Sequence, residues 1–600
     1  MDRKSLFILF VCVGLFLLWP ILVHKIFPPV PLPPGATNQL AGAANQVERG
    51  TNIPVLSAAT NLLAPPPVMQ PAAPEELQVI QTREARYTFT THGGGLKHVE
   101  LKEYLESVTC DNKKKSGPAA LNKRGSVPAL ALLGDPSVQG DGVYKLAKTA
   151  TGGVRAEKEL PGGVVIINEF QPLSNFVFLA TVRVENRGAQ PVALPAHQLV
   201  VGTAAPVGLD EDPNYLGVYW YHNAEKKDRH VDQGYFANKT LGCIPGTPRT
   251  QYREAAPVGW AAAHDQFFTL ALMPKEPAPE IVIVQTNLPP PTAEERAAFP
   301  RALAKPFGFQ TSLGYPAMIV ATNQPYVRTF ELYAGPKEYQ TLVKVGARLK
   351  NNVDLVMDYD GFFGWFAQVL LSSMNGLNKL GLPYWLAIIS ITVIIKLLFW
   401  PLTNASTKSM KRMAALQPQM KAIQERYKED PAKMQRKMME FMKEHKVNPM
   451  GGCLPVLLQM PVFFGFFLMI RSAIELRGAG FLWCCDLSKP DTVAYLPLLN
   501  FPINPLPLLM GVTMLWQARL TPAAPGMDPV QQKMMKYMPL MFLIFLYNFS
   551  AGLTLYWTVQ NLLSIAQMKI TKASEPAAAA PAAPARPAAP AAVAHPRKKK

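Results

Sequence analysis

Apolar residues along this chain gather in two places, the extreme N-terminus and residues 383–570, with a long mixed stretch between them. Residues 5–23, SLFILFVCVGLFLLWPILV, follow Asp2-Arg3-Lys4 and hold no charge. At about 1.5 Å of rise per residue this run is just long enough to cross the hydrocarbon of a bilayer. A cleaved signal peptide is the other reading, but the run is long for one. No small-x-small site precedes the prolines at 28, 29, 31, 33 and 34, so an uncleaved anchor is expected, with the basic residues before it in the cytoplasm. Further on, residues 382–402 are apolar except for Lys396, and 453–470 are free of charge. Residues 493–516 are also uncharged but hold Pro497, Pro502, Pro505 and Pro507, so the helix proper should start near Pro505. Residues 538–567 could form one tilted helix, or two short ones split at Asn548-Phe549-Ser550-Ala551-Gly552. The split returns the Arg597-Lys598-Lys599-Lys600 tail to the cytoplasm. That side also receives residues 403–450, which carry 11 Lys/Arg against 5 Asp/Glu. The split is therefore chosen, giving spans at about 382–402, 453–470, 505–517, 537–549 and 552–568: six with the anchor, and both ends cytoplasmic.

The stretches between the spans read differently. Residues 24–78 are rich in Pro, Ala, Asn and Gln, as a disordered linker would be. From 79 to 345, β-rich runs at 87–91, 164–170, 176–185, 281–286 and 328–334 are bounded by Gly, Pro or Asn. They predict a β-sandwich outside the cytoplasm. Within 346–381, Phe362, Phe363, Trp365 and Phe366 cluster in a modestly polar segment, which suits an amphipathic helix in the membrane interface; a core helix of the sandwich is the alternative. In 404–447, Met413, Leu416, Met420, Ile423 and Tyr427 recur at helical spacing, as do Met434, Met438, Phe441 and His445. Asp430 and Pro431 between the runs are the expected N-cap and first helical residue of the second arm of a hairpin. Residues 571–600, Ala/Pro-rich and basic, read as a disordered tail.

Composition narrows the function. The net charge of +18 admits nucleic acid, anionic lipid or ribosome contact. No RNP-type strand or Cys/His finger accompanies it, which argues against a DNA-reading module. The six cysteines, at 12, 110, 243, 453, 484 and 485, form no CxxC and have no histidines at zinc spacing, so no metal site is expected. Cys110 and Cys243 fall in the β-rich region and could pair, although spacing alone does not set their distance. The sequence holds no GxxxxGK[ST], HExxH or GxSxG. Neither an enzyme nor a cofactor is therefore expected.

Several longer motifs carry a resemblance. KVNPMGGCLPVLLQMPVFFGFF (446–467) and FWPLTNASTKSMKRMAALQPQMKAIQERY (399–427) are similar, in order and spacing, to signatures of the YidC/Oxa/Alb membrane protein insertases. LPLLMGVTMLWQARL, DPVQQKMMKYMPLMF and SAGLTLYWTVQNLLSIAQ follow as that family's last three spans. TFTTHGGGLKHVELKEY, GWAAAHDQFFTLALMP and ELYAGPKEYQTL resemble landmarks of the large periplasmic domain found in Gram-negative YidC proteins. The resemblance implies a multi-domain α-helical inner-membrane protein, five of whose six transmembrane helices form an insertase core, plus a periplasmic all-β supersandwich. It also implies the partners: nascent integral membrane proteins, the ribosome, the Sec translocon and the phospholipid bilayer.

A lysine inside an apolar run needs a reason, since a charge at mid-bilayer costs roughly 2.5–3.5 kcal/mol. Lys396 is expected either to snorkel to the cytoplasmic interface or, as the resemblance implies, to face a wet groove that holds one positive residue. The family's better-known pattern has Arg there. Lysine keeps the charge without the planar fork, which argues for a general electrostatic role. Gln459, Gln560, Asn561, Ser564 and Gln567 are the other candidates for the groove, 560, 564 and 567 sharing one helical face; interhelical hydrogen bonds are the plainer account of each. Met460, Phe463, Phe467, Tyr556 and Trp557 are the candidates for an apolar slide. A secondary transporter would need paired internal repeats around a mid-membrane site, and none is visible. A carbohydrate-handling module on an anchor would need paired carboxylates, for which no pattern argues.

Overall fold

A computed structural model describes residues 71, 73–108, 110, 116–174, 176–239, 246–299, 302–445, 454–496, 501–520 and 529–573. The expected anchor, nearly all of the linker, Cys243, residues 446–453 of the most specific motif and the tail beyond 573 lie outside that set. The chain divides into two units, Met1–Ser372 with Phe464–Ser488, and Ser373–Phe463 with Lys489–Lys600.

The first unit is built on antiparallel strands. Leu77–Gln81, Ala85–Thr90, Leu96–Leu105 and Pro118–Leu121 form a four-stranded sheet, and a second sheet of 13 strands runs from Leu132–Gly134 at one edge to Lys145–Lys148 at the other. The predicted runs coincide, to within one residue at their ends, with strands Ala85–Thr90, Val164–Pro172, Val177–Asn186, Ala278–Asn287 and Tyr326–Pro336. In Val177–Asn186 burial alternates along the strand, as one core-facing side of a pleated strand requires. Aromatic pairs join the sheets: Tyr87 lies 4.4 Å from Phe178 and Phe89 4.7 Å from Phe170, ring centre to ring centre. Trp220 and Trp260 are fully buried, and Trp260 Nε1 donates to Asn351 O at 2.7 Å, tying the strands to the segment that leaves them.

The cysteine expectation is corrected here. Cys110 is bonded to Cys485, with Cα atoms 5.4 Å apart, across 375 residues of sequence. The physical reason is that the segment following helix Leu454–Ser472 is folded into the β-domain. Ile474 lies in its hydrophobic core. Arg477 donates to Leu105 O at 2.6 Å and Glu106 O at 2.9 Å, and pairs with Glu211 at 3.4 Å, the two side chains being 2% and 4% exposed. Cys485 arrives beside Cys110 because these contacts bring it there. Its neighbour Cys484 keeps a buried thiol.

The helices are labelled in chain order: α1 Gly361–Lys379, α2 Tyr384–Leu398, α3 Trp400–Ala415, α4 Gln417–Arg426, α5 Pro431–Glu444, α6 Leu454–Ser472, α7 Pro505–Leu520, α8 Pro529–Leu546 and α9 Ala551–Ala573. The division between the units falls inside α1 and α6. Proline sets several of the boundaries. The run expected as one span at 382–402 is two helices, Tyr384–Leu398 and Trp400–Ser406 meeting at 58°. Pro401 has no N–H to offer the Leu397 carbonyl and its ring crowds that carbonyl, so the chain turns at Phe399. Helix α7 starts at Pro505, and residues 547–550 separate α8 from α9, both as expected. In the hairpin arm α5, Asp430 caps through Lys433 N at 3.0 Å and Pro431 is the first helical residue. Met413 at the end of α3 and Met420 on α4 pack with Leu416 between them and with Met438, Phe441 and Met442 on α5.

Among the described residues no single helix is long and apolar enough to cross a membrane; the bent pair at 384–406 passes in combination, and Tyr537–Leu546 is a shorter apolar helix. The count of six spans therefore stays an expectation.

Candidate functional site

The polar residues inside the apolar helices of the second unit come together along one face of α9. Helix α9 packs against α2 and α7, and α7 also packs against α8. Lys396 is two residues from the end of α2 and only 8% exposed. Its ammonium donates to Ser564 Oγ at 2.8 Å, and Ser564 in turn donates to Gln560 O on its own helix, also at 2.8 Å. Gln560 Nε2 donates to Gln459 Oε1 at 2.8 Å, and Gln459 Nε2 donates to the Tyr556 hydroxyl. One turn away, Asn561 Nδ2 donates to Thr513 Oγ1 at 3.2 Å. Farther along α9, Gln567 Nε2 donates to Thr403 Oγ1 at 2.7 Å, while that hydroxyl donates to Phe399 O at the bend between α2 and α3.

All six polar candidates thus meet at α9, each engaged in a hydrogen bond between helices. In a medium without water such bonds are worth roughly 0.6–2 kcal/mol each. Lys396 differs from the rest. Its one hydrogen bond among the described residues is to a neutral hydroxyl, and no carboxylate among them answers the buried charge.

The apolar candidates divide. Met460 is exposed on α6, and Phe463 meets Trp557 edge-on at 4.7 Å, with Trp557 5.9 Å from Phe542 on α8. Phe467 is half-buried on the portion of α6 that belongs to the first unit. Tyr556 is buried with its hydroxyl on Gln459, so it joins the polar set rather than the apolar face. Thr403 and Thr513 are partners that sequence reasoning missed; Thr513 was signalled as the one hydroxyl within 505–517, whereas Thr403, just past the end of its run and followed by Ser406 and Thr407, carried no such signal. The outer faces of these helices carry Ile394, Leu397, Val512, Met541 and Phe545, each more than half exposed, as a lipid-facing surface would.

The β-domain holds a polar cluster of its own. His264 Nδ1 lies 2.9 Å from Asp265 O, which only accepts, so that nitrogen carries the proton and Nε2 accepts from His230 Nε2 at 3.3 Å. Tyr219 stacks on His230 at 4.2 Å, and Lys337 Nζ donates to Asp265 O at 3.3 Å. Burial disfavours charge here. It lowers both histidines below their ordinary range, lowers Lys337 to about 8 and raises the Asp265 carboxyl, which two backbone N–H groups partly offset. The cavity these residues share with Asp358 and Arg471 is about 30 Å³. That is room for one or two waters, far below the roughly 300 Å³ at which small-molecule pockets begin.

Comparison with known proteins decides what the two halves are. Residues 376–578 match the family described as 60Kd inner membrane protein, and residues 77–372 match the YidC periplasmic domain. A membrane protein insertase YidC from Citrifermentans bemidjiense is 34% identical over 494 residues, covering 81% of this chain and 83% of the relative. This chain belongs to the YidC family of membrane protein insertases. Another YidC, from Syntrophus aciditrophicus, is 30% identical over 600 residues, 94% of this chain and 98% of the relative. An active YidC insertase crystal structure with its first transmembrane domain resolved covers 84% of this chain and 94% of its own, at 17% identity and a TM-score of 0.34. The YidC family is not an enzyme family, and the large β-domain is its periplasmic domain, carried by an inner-membrane protein.

Proposed function

We propose that this YidC-family chain inserts newly synthesised integral membrane proteins into the inner membrane and helps them fold, alone or beside the Sec translocon, through a hydrophilic groove open to cytoplasm and lipid. The observation that carries the reading is the seam on α9: a buried lysine and four amides among helices whose outer faces are apolar. Such a seam receives the hydrophilic flank of a nascent segment, an acidic flank above all, and shortens the low-dielectric path it crosses. The apolar part of the client moves along Met460, Phe463, Phe467 and Trp557 into lipid. Burying about 20 apolar residues in hydrocarbon supplies the driving force, so no nucleotide is called for.

The disulfide supports the orientation. A Cys110–Cys485 bond suits an oxidising compartment, which supports a periplasmic location for the segment after α6 together with the β-domain. Helices α2 and α6 then span between that side and the basic hairpin α4–α5. The hairpin and the Arg-Lys-Lys-Lys tail face the cytoplasm, where ribosomes deliver clients.

The test puts a photo-crosslinking residue at Phe463 and, separately, at Gln459, with a single-span client on stalled ribosomes. Crosslinks from both positions to the emerging apolar segment are expected. Their absence, with nascent chains demonstrably at the membrane, would sink the reading.

A further inference from the structure

By sequence the segment 473–488 belongs to the membrane half; by contact it is part of the β-domain. It is held in three chemically distinct ways. Ile474 is buried in the β-domain core. Arg477 reads two successive carbonyls, Leu105 O and Glu106 O, together with the Glu211 carboxylate, and its guanidinium lies 5.2 Å from the Phe268 ring centre. Cys485 is covalently joined to Cys110. The last turn of α6 is gripped as well: Tyr359 Oη donates to Met469 O at 3.1 Å and Ser472 Oγ to Met357 O at 3.3 Å.

A single apolar contact would suffice to cover the end of a helix. A buried ion pair is a costly substitute, since its desolvation consumes most of its attraction, and its best-attested use is to define one arrangement among several. The planar fork of arginine suits that use, because its two terminal nitrogens reach two carbonyls and a carboxylate from one rigid plane, while Nε finds no hydrogen-bond partner among the described residues. The disulfide adds a restraint that thermal motion does not open. It forms when two thiols lose two protons and two electrons to an exported disulfide donor, which is reduced to a dithiol.

We propose that the β-domain works as a clamp that sets the axial position and rotation of α6, with Arg477 and the Cys110–Cys485 bond as its positioning residues. The proposal rests on the insertase reading, in which α6 carries client-contacting side chains. Holding the periplasmic end of α6 fixes how Phe467, five residues from that end, is presented to a client, while Met460 lies beyond Pro461 and serves as the reference position. The chemistry of Arg477 and of the disulfide touches no client; both residues act through the helix.

The test uses the full chain in vesicles of phosphatidylethanolamine and phosphatidylglycerol, with photo-crosslinkers at Phe467 and, separately, at Met460, and a single-span nascent client. The readout is the ratio of the two crosslink yields, which a general loss of folded protein leaves unmoved. Arg477→Ala, and Cys110→Ser with Cys485→Ser, are expected to change that ratio about fivefold, equivalent to roughly 1 kcal/mol of positional preference. Arg477→Lys, which keeps the charge without the fork, should fall between. Reducing the unaltered, folded chain and alkylating its thiols should reproduce the double-serine result, which covers the case of a variant that fails to fold. Free alkylation of Cys110 before any reduction, or an unchanged ratio alongside strong client crosslinks, overturns the clamp alone. Absence of client crosslinks from both positions in the unaltered chain overturns the insertase reading and the clamp with it.

Discussion

Replacing Lys396 by methionine separates a residue kept for function from one kept for stability. The side chains are of similar length, so packing is conserved while the charge is removed. A lysine at the centre of a membrane helix costs roughly 2.5–3.5 kcal/mol, less where the residue is near a helix end, as Lys396 is. Against this, the substitution gives up one charge-assisted hydrogen bond, worth roughly 1.5–3 kcal/mol. Ser564 is not orphaned, because its hydroxyl still donates to Gln560 O. The two terms nearly cancel, and the variant should be as stable as the unaltered chain or more stable by about 1 kcal/mol. Insertion should move the other way. For a client with an acidic flank, Lys396→Met should lower protease-protected insertion in proteoliposomes about tenfold, equivalent to roughly 1.4 kcal/mol. A neutral-flanked client should be spared and Lys396→Arg should restore activity. Thermal unfolding in lipid nanodiscs gives the first number and protease protection the second. A variant that loses stability and insertion of both clients together would make Lys396 a structural residue, and undiminished insertion of the acidic client would reduce it to a snorkelling one.

Three further outcomes follow from local geometry. His230 sits well below its ordinary value, at about 4, because burial disfavours the charged ring. The unfolded chain therefore takes up a proton first, and stability is lost as pH falls from about 6.5 towards 4. Asp265, raised by burial, acts in the opposite sense over an overlapping range, so the informative quantity is a difference. His230→Gln should lose less stability than the unaltered chain across that window, and parallel melting curves would refute the assignment. Gln459→Ala removes the donor to the buried Tyr556 hydroxyl and the acceptor of the Gln560 amide and should cost about 1–3 kcal/mol by thermal unfolding; Gln459→Glu, which keeps the acceptor but sets a carboxylate among apolar helices, should cost at least as much. In Gly465→Val the new Cβ would stand 2.7 Å from Phe366 Cβ, and forcing α1 off α6 in this way should cost about 1–3 kcal/mol of melting stability.

Much of the fold was legible because it follows local rules. Strands announced themselves by β-branched runs between Gly and Pro, the start of α7 by Pro505, the second hairpin arm by Asp430-Pro431, and the break between α8 and α9 by the Asn548–Gly552 turn residues. The bend at Phe399 had an equally local cause in Pro401, hidden by the uninterrupted hydrophobicity around it. What stayed hidden depends on residues far apart in the chain. Nothing near Cys110 points to a partner 375 residues on; the contacts of Ile474 and Arg477 make the choice. Antiparallel pairing brings His230 and His264 together across 34 positions. At the candidate site the polar residue types and their shared face were readable from spacing, whereas their partners Thr403 and Thr513 were not, because a helix's own periodicity says nothing about the rotation of its neighbour.

The seam on α9 has a consequence for how a client would enter. Its four amides already hold interhelical partners, so these side chains do not present bare dipoles to lipid. An arriving peptide group trades places with one of these side chains, and the number of hydrogen bonds before and after the trade is the same. On the proposed groove reading, the side chains of Gln459, Gln560, Asn561 and Gln567 would act as placeholders for the client's own backbone, sealing the passage when it is idle and giving way one bond at a time when it is used.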